Sequence, residues 1–89
     1  MPLQILSSPS NPDQLVEKLS SAIAAALPGS QVEVQAIGAG HFEISVASET
    51  FAGQSRVAQQ QAVYAAIAHL MKGDAAPVHA IDKLETRVP

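Results

Sequence analysis

The chain has 89 residues, of which 47% are hydrophobic and only 3% aromatic, a composition that fits one domain with a small aliphatic core. It contains no cysteine, which excludes disulfides, thiolate-held metal sites and a thiol nucleophile supplied by the chain itself. Five basic residues stand against eight acidic ones for a net charge of −3, which disfavours a free-standing nucleic-acid binder because neutralising phosphates needs a basic surface.

No part of the sequence is predicted to enter a membrane. The longest mostly apolar run, residues 21–27, is far too short to span a bilayer. The N-terminus has no basic segment ahead of an apolar one, so no secretory signal is predicted. We therefore expect a soluble, cytoplasmic protein of bacterial type with no membrane partner.

The first helix is predicted to follow a flexible N-terminal arm at residues 1–10, which show no periodic pattern. The helix is predicted to begin at Asn11, a good capping residue, with Pro12 in its first turn. Apolar residues then recur at steps of one, three and four as far as Leu27, which places them on one helical face. The Pro-Gly pair that follows is predicted to end the helix.

Two strands are predicted next. In residues 31–37, and again in residues 41–47, apolar and polar side chains alternate, which is typical of half-buried strands. A short glycine-rich turn at residues 38–40 joins the two runs, so we expect an antiparallel hairpin. Each strand has a single apolar face, and helices are therefore expected to cover only one side of the sheet.

The connector at residues 48–54 is predicted to contain a short extra helical turn, with Phe51 filling the edge of the core. Ser55 is predicted to cap a second long helix, which begins at Arg56 and ends before Gly73. The apolar face of this helix is predicted to comprise Val57, Val63, Tyr64, Ile67, Leu70 and Met71.

The last predicted element is a strand at residues 78–84. Together with strand 41–47 and the second helix it forms a βαβ unit, whose right-handed crossover makes the two strands parallel. The order helix, strand, strand, helix, strand therefore predicts an α/β (α+β) domain at residues 11–85, with residues 86–89 as a tail. We expect a three-stranded mixed sheet with helices on one face.

Histidines are the side chains most able to carry chemistry in a chain without cysteine. His41 opens the second strand and His79 lies near the start of the third, so parallel pairing brings both to the same end of the sheet. Spacing alone explains each more simply as a solvated surface residue. Two imidazoles cannot complete a tetrahedral metal site, and such a site would need ligands from a partner or from water.

Gly53 and Ser55 precede the second helix and Arg56 begins it, so backbone amides and a guanidinium could contact an anion there. The simpler interpretation is a glycine turn followed by a helix cap. Ser55 has no histidine–aspartate pair beside it in the sequence, and no nucleophile–base pair can be assembled elsewhere. An enzyme is therefore not predicted.

Four segments, taken in order, resemble the BolA family. They are Gly-His-Phe at 40–42, Ser-Glu-Thr-Phe-Ala-Gly-Gln-Ser-Arg-Val at 48–57, Gln-Gln-Ala-Val-Tyr at 60–64 and Val-His-Ala-Ile at 78–81. The glutamine pair resembles the branch of small acid-stress BolA-like proteins of bacteria. The resemblance implies a fold like the class II KH domain, with the order α-β-β-(α)-α-β, in agreement with the elements predicted above.

The resemblance also implies a partner and a cofactor. In this family a monothiol glutaredoxin binds the BolA protein, and the pair shares a [2Fe-2S] cluster through the glutaredoxin cysteine, glutathione and histidine of the BolA protein. The C-terminal histidine of the family corresponds to His79. A second family ligand lies in the loop between the first two strands. That loop is shortened here to residues 38–40, which leaves His41 as the second candidate ligand.

Two functions are therefore expected from the resemblance. The preferred one is a non-enzymatic adaptor that binds a monothiol glutaredoxin and acts in iron–sulfur cluster handling or in iron or stress regulation. The alternative is a KH-like transcriptional regulator, in which Arg56 and Lys72 contact DNA phosphates. On its own, the chain is expected to be a monomer or a weak homodimer.

Overall fold

The computed structural model describes residues 12–73 and 76–89, so the predicted arm and the predicted cap at Asn11 lie outside the described residues. Its elements are α1 (Pro12–Ala26), β1 (Gln31–Gly38), β2 (His41–Ala47), a 3₁₀ turn (Glu49–Phe51), α2 (Arg56–Ile67), a second 3₁₀ turn (Ala68–Leu70) and β3 (Ala80–Arg87). The predicted order, including the short extra turn before α2, is confirmed. No helix in the described part of the chain is long and apolar enough to cross a membrane.

The three strands form one mixed sheet in the order β1-β2-β3. β1 pairs with β2 in an antiparallel hairpin, in which Val34 lies opposite Ile44. β2 pairs with β3 in parallel, and Phe42 lies opposite Ile81. Both predicted pairings are confirmed, and β2 is the central strand.

The core lies between the two helices and one face of the sheet. In α1, Leu15, Leu19 and Ile23 recur every four residues and are buried, which makes one continuous stripe on that helix. The other buried apolar residues of the core are Leu27, Phe42, Ile44, Val46, Phe51, Val63, Ile67 and Val78. Phe51 is fully buried, as predicted from its place in the connector. Burying each large side chain contributes roughly 1.5–3 kcal/mol, so this single layer supplies most of the folding energy.

The predicted position of the last strand, residues 78–84, is wrong at both ends. Val78 is buried in the core just before β3 begins, rather than within the strand. At the other end, β3 continues to Arg87 because its final residues pair with the end of β2, and the Ser48 N–H donates to the Arg87 carbonyl at 3.0 Å. The first two residues of the predicted tail, 86–89, therefore belong to the sheet.

The predicted apolar face of α2 is wrong for two residues. Val57 is 62% exposed and Tyr64 is 39% exposed, whereas Val63 and Ile67 are buried. At 3.6 residues per turn, Val57 lies about 120° around the helix from Val63, so the two side chains cannot face the same core. Val57 and Tyr64 are seven residues apart and lie on an outward stripe of their own. The α-helical geometry also stops at Ile67, where the 3₁₀ turn begins.

Two glutamines tie the start of α2 to its surroundings. The Gln59 side chain donates to the Gln54 carbonyl at 3.1 Å and accepts from the Thr86 hydroxyl at 2.8 Å. Gln60 donates to the Leu84 carbonyl at 3.5 Å. Sequence periodicity treats both residues as polar surface, yet each satisfies backbone or side-chain groups of another segment. These contacts hold α2 against β3 and the connector.

Candidate functional site

Both predicted ligand histidines lie at one end of the sheet, where β2 and β3 begin. His41 is the first residue of β2 and lies opposite Ala80, the first residue of β3. His79 directly precedes Ala80. The backbone N–H groups of His79 and Ala80 both donate to the Gly40 carbonyl, at 2.8 and 3.1 Å. The prediction that parallel pairing brings positions 41 and 79 to the same end is therefore confirmed.

The His79 imidazole lies directly over the glycine turn. A Cβ atom at Gly40 would overlap with Cδ2 of His79 and would lie 2.8 Å from its Cγ. Gly40 also has a φ of +73°, a conformation that side-chain-bearing residues rarely adopt. The position therefore requires glycine both for its backbone and for the ring above it, and His79 remains exposed at this edge.

The His41 imidazole is held from the neighbouring strand. Its Nδ1 lies 3.0 Å from Oδ1 of Asp82, and the two side chains are 47% and 41% exposed. The register of β2 and β3 slips at this point: Phe42 pairs with Ile81, but Glu43 pairs with Lys83. Asp82 is thus an extra residue in a β-bulge, which directs its carboxylate toward His41.

Sequence reasoning missed Asp82, although a signal was present. A regular strand places apolar residues two apart on the same face, but Ile81 and Leu84 are three apart and both pack against the core. That broken alternation indicates one inserted residue between them. The same slip determines which side chain meets His41, and the identity of that side chain is visible only once β3 is paired with β2.

A metal group held at this edge would need ligands from another molecule. No cluster of three or more histidine, cysteine, aspartate or glutamate side chains able to hold a metal occurs within residues 12–73 and 76–89. His41 and His79 are both exposed, and a neutral imidazole is a good ligand for iron. Because the chain has no cysteine, any thiolate ligands would have to come from outside it.

The remaining predicted contact residues do not come together. Ser55 caps α2, accepting from the Ala58 N–H at 3.1 Å, and Gly53 makes a turn with a φ of +79°. Arg56 begins α2, whereas Lys72 follows the 3₁₀ turn beyond its other end. The 12 residues of α2 span about 18 Å, so the two cations cannot contact one phosphate.

These features define a class of protein. It is an α+β domain with a three-stranded mixed sheet, helices on one face and two histidines at one sheet end. The family model described as BolA-like protein matches residues 16–89. The chain belongs to the BolA family.

Solved structures agree with this assignment. A BolA homologue from Coxiella burnetii shares 30% identity at a TM-score of 0.67, covering 82% of this chain and 88% of that one. The BolA domain of SufE1 from Arabidopsis thaliana has a TM-score of 0.71 at 18% identity, with 96% of each chain covered. BolA1 from the same plant has a TM-score of 0.71 at 16% identity, covering 83% and 90%. The two plant structures show the shared fold alone. None of the curated proteins matched the chain.

Proposed function

We propose that this protein is a non-enzymatic adaptor that binds a monothiol glutaredoxin and shares a [2Fe-2S] cluster with it through His79 and His41. The glutaredoxin cysteine and glutathione would supply the thiolate ligands. The observation that supports the proposal is the pair of exposed imidazoles at one sheet end of a chain without cysteine. The adaptor would act in cluster handling, or in iron or stress regulation.

The two histidine rings are held in place by different contacts. His79 has its backbone N–H bonded to Gly40 and its ring against the same residue, so the imidazole is restricted before any partner arrives. His41 is the first residue of the central strand, and its ring is anchored from β3. Preorganised ligands lose less freedom on binding. A [2Fe-2S] group with histidine in place of thiolate has a raised reduction potential.

Fewer observations support a nucleic-acid-binding regulator. Arg56 and Lys72 lie near opposite ends of the second helix, and the face of the sheet away from the helices carries acidic residues such as Glu33 and Glu43. With a net charge of −3, such a surface repels phosphates. Binding to duplex DNA at low salt that is lost in Arg56→Glu would favour this alternative.

The proposal is tested by mixing the protein with a glutathione-loaded [2Fe-2S] monothiol glutaredoxin and recording visible absorption and circular dichroism. We expect a new spectrum with the wild-type chain, loss of that change in His79→Ala, and a weakened change in His41→Ala. His69→Ala is the matched control, because His69 is an exposed histidine in the 3₁₀ turn after α2. An unchanged spectrum with wild type, or identical spectra for wild type and His79→Ala, would overturn the proposal.

A further inference from the structure

We propose that Asp82 is a positioning residue, which holds the His41 ring in the tautomer that leaves Nε2 free to bind the shared metal group. This inference rests on the proposed function, since it assigns His41 the role of a ligand. It goes further by identifying a residue of β3 that prepares that ligand in the free protein. Asp82 itself would touch neither the metal nor the partner.

The tautomer follows from the chemistry of the two groups. An ionised carboxylate can only accept hydrogen bonds, so the 3.0 Å contact between Nδ1 of His41 and Oδ1 of Asp82 requires a proton on Nδ1. A neutral imidazole carries one ring proton, and Nε2 then has its lone pair exposed. Only an unprotonated ring nitrogen can bind a metal. The contact therefore selects Nε2 as the ligand atom of His41.

The bulge in β3 makes this contact possible. Ile81 and Lys83 pair with consecutive residues of β2, so Asp82 is the residue without a register partner there. Its carboxylate is directed to His41 by backbone geometry that the pairing on both sides of the bulge maintains. A carboxylate bonded to the distal nitrogen of a metal-binding histidine fixes the ring orientation and raises its basicity.

Each of the two histidines is thus held by a residue of the neighbouring segment. The turn before β2 holds His79 through Gly40, and the bulge in β3 holds His41 through Asp82. The turn between β1 and β2 is short, so it offers no other metal-binding side chain of its own. Asp82 compensates by orienting the histidine that directly follows the turn.

The first test uses the free protein. In ¹⁵N-labelled wild type, long-range ¹H–¹⁵N correlation of the imidazoles at a pH where they are neutral should show His41 mainly as the Nδ1–H tautomer. Asp82→Ala should lose that preference while the His79 signals stay unchanged. Glu85→Ala is the matched control, because it removes the same charge from an exposed position about 10 Å further along β3. A His41 tautomer that is the same in wild type and Asp82→Ala would overturn the inference and leave the proposed function standing.

The second test uses the complex with a glutathione-loaded [2Fe-2S] monothiol glutaredoxin, titrated while visible circular dichroism is recorded. Asp82→Ala should bind about 10–100-fold more weakly than wild type, and Glu85→Ala should match wild type. Because the His41–Asp82 pair is exposed, its removal should not unfold the domain. A changed tautomer with unchanged affinity would overturn the positioning role. Absence of any cluster signal with wild type would overturn the proposed function, and with it the role of Asp82 in ligation.

Discussion

The covered face of the sheet and the histidine end are built from different interactions. On the covered face, Phe42, Ile44 and Val46 of the central strand are buried against two helices, and apolar burial supplies the energy. At the histidine end the side chains are exposed. The geometry there is defined by a turn glycine, two backbone hydrogen bonds and one carboxylate. The difference teaches that the packed core and the site geometry rest on different contacts. A substitution in the packed core should leave the geometry of the histidine end nearly unchanged.

The largest expected effect comes from the core. Phe51 is fully buried, and Phe51→Ala should lower the free energy of unfolding by about 3–5 kcal/mol because it leaves a cavity. Urea denaturation followed by far-UV circular dichroism measures this loss. Val57→Ala is the control: its side chain is 62% exposed, and the change should stay within about 0.5 kcal/mol. Equal losses in the two variants would contradict the core described here.

The next effect concerns the turn beneath His79. Gly40→Ala should cost roughly 1–2 kcal/mol for the positive φ and should also displace the His79 ring, because the new Cβ overlaps it. Gly53→Ala is the matched control, since Gly53 has a φ of +79° but nothing lies within 4 Å of an added Cβ. Imidazole NMR shifts of His79 should move in the first variant and stay in place in the second. Unmoved shifts in Gly40→Ala would show that the ring does not lie on the turn.

A smaller effect is expected at the start of α2. The Ser55 hydroxyl accepts from the Ala58 N–H, so Ser55→Ala should destabilise the domain by about 1 kcal/mol. Ser21→Ala, at an exposed position inside α1, should cause no loss because alanine favours a helix interior. Thermal unfolding of both variants checks the difference. Neither variant should alter the histidine end, and altered His41 or His79 signals in Ser55→Ala would contradict the separation of the two regions.

Local patterns predicted most of the fold. Alternation predicted the hairpin, and a serine before a helical run predicted the cap at Ser55, because both depend on neighbours along the chain. The outward position of Val57 was missed, since an apolar residue near a helical stripe looks the same in sequence whether it faces the core or solvent.

The candidate site was only partly predictable for a related reason. The element order brought His41 and His79 to one sheet end, but their supporting residues act across strands. The contact between Gly40 and the His79 ring depends on how the chain enters β3, and the contact between Asp82 and His41 depends on a one-residue slip in register. Neither can be derived from spacing along the chain alone. A break in apolar alternation, as between Ile81 and Leu84, is the sequence signal that a strand contains a bulge.

The central claim is that imidazole nitrogens of this chain bind the shared cluster. It is tested most directly by labelling the histidines of this chain with ¹⁵N, forming the complex with unlabelled [2Fe-2S] glutaredoxin and glutathione, reducing the cluster, and recording electron–nuclear hyperfine spectra. We predict strong ¹⁵N coupling from directly bound imidazole, with the His79 contribution lost in His79→Ala and retained in His69→Ala. A complex that forms but shows no strong ¹⁵N coupling from this chain would contradict the claim.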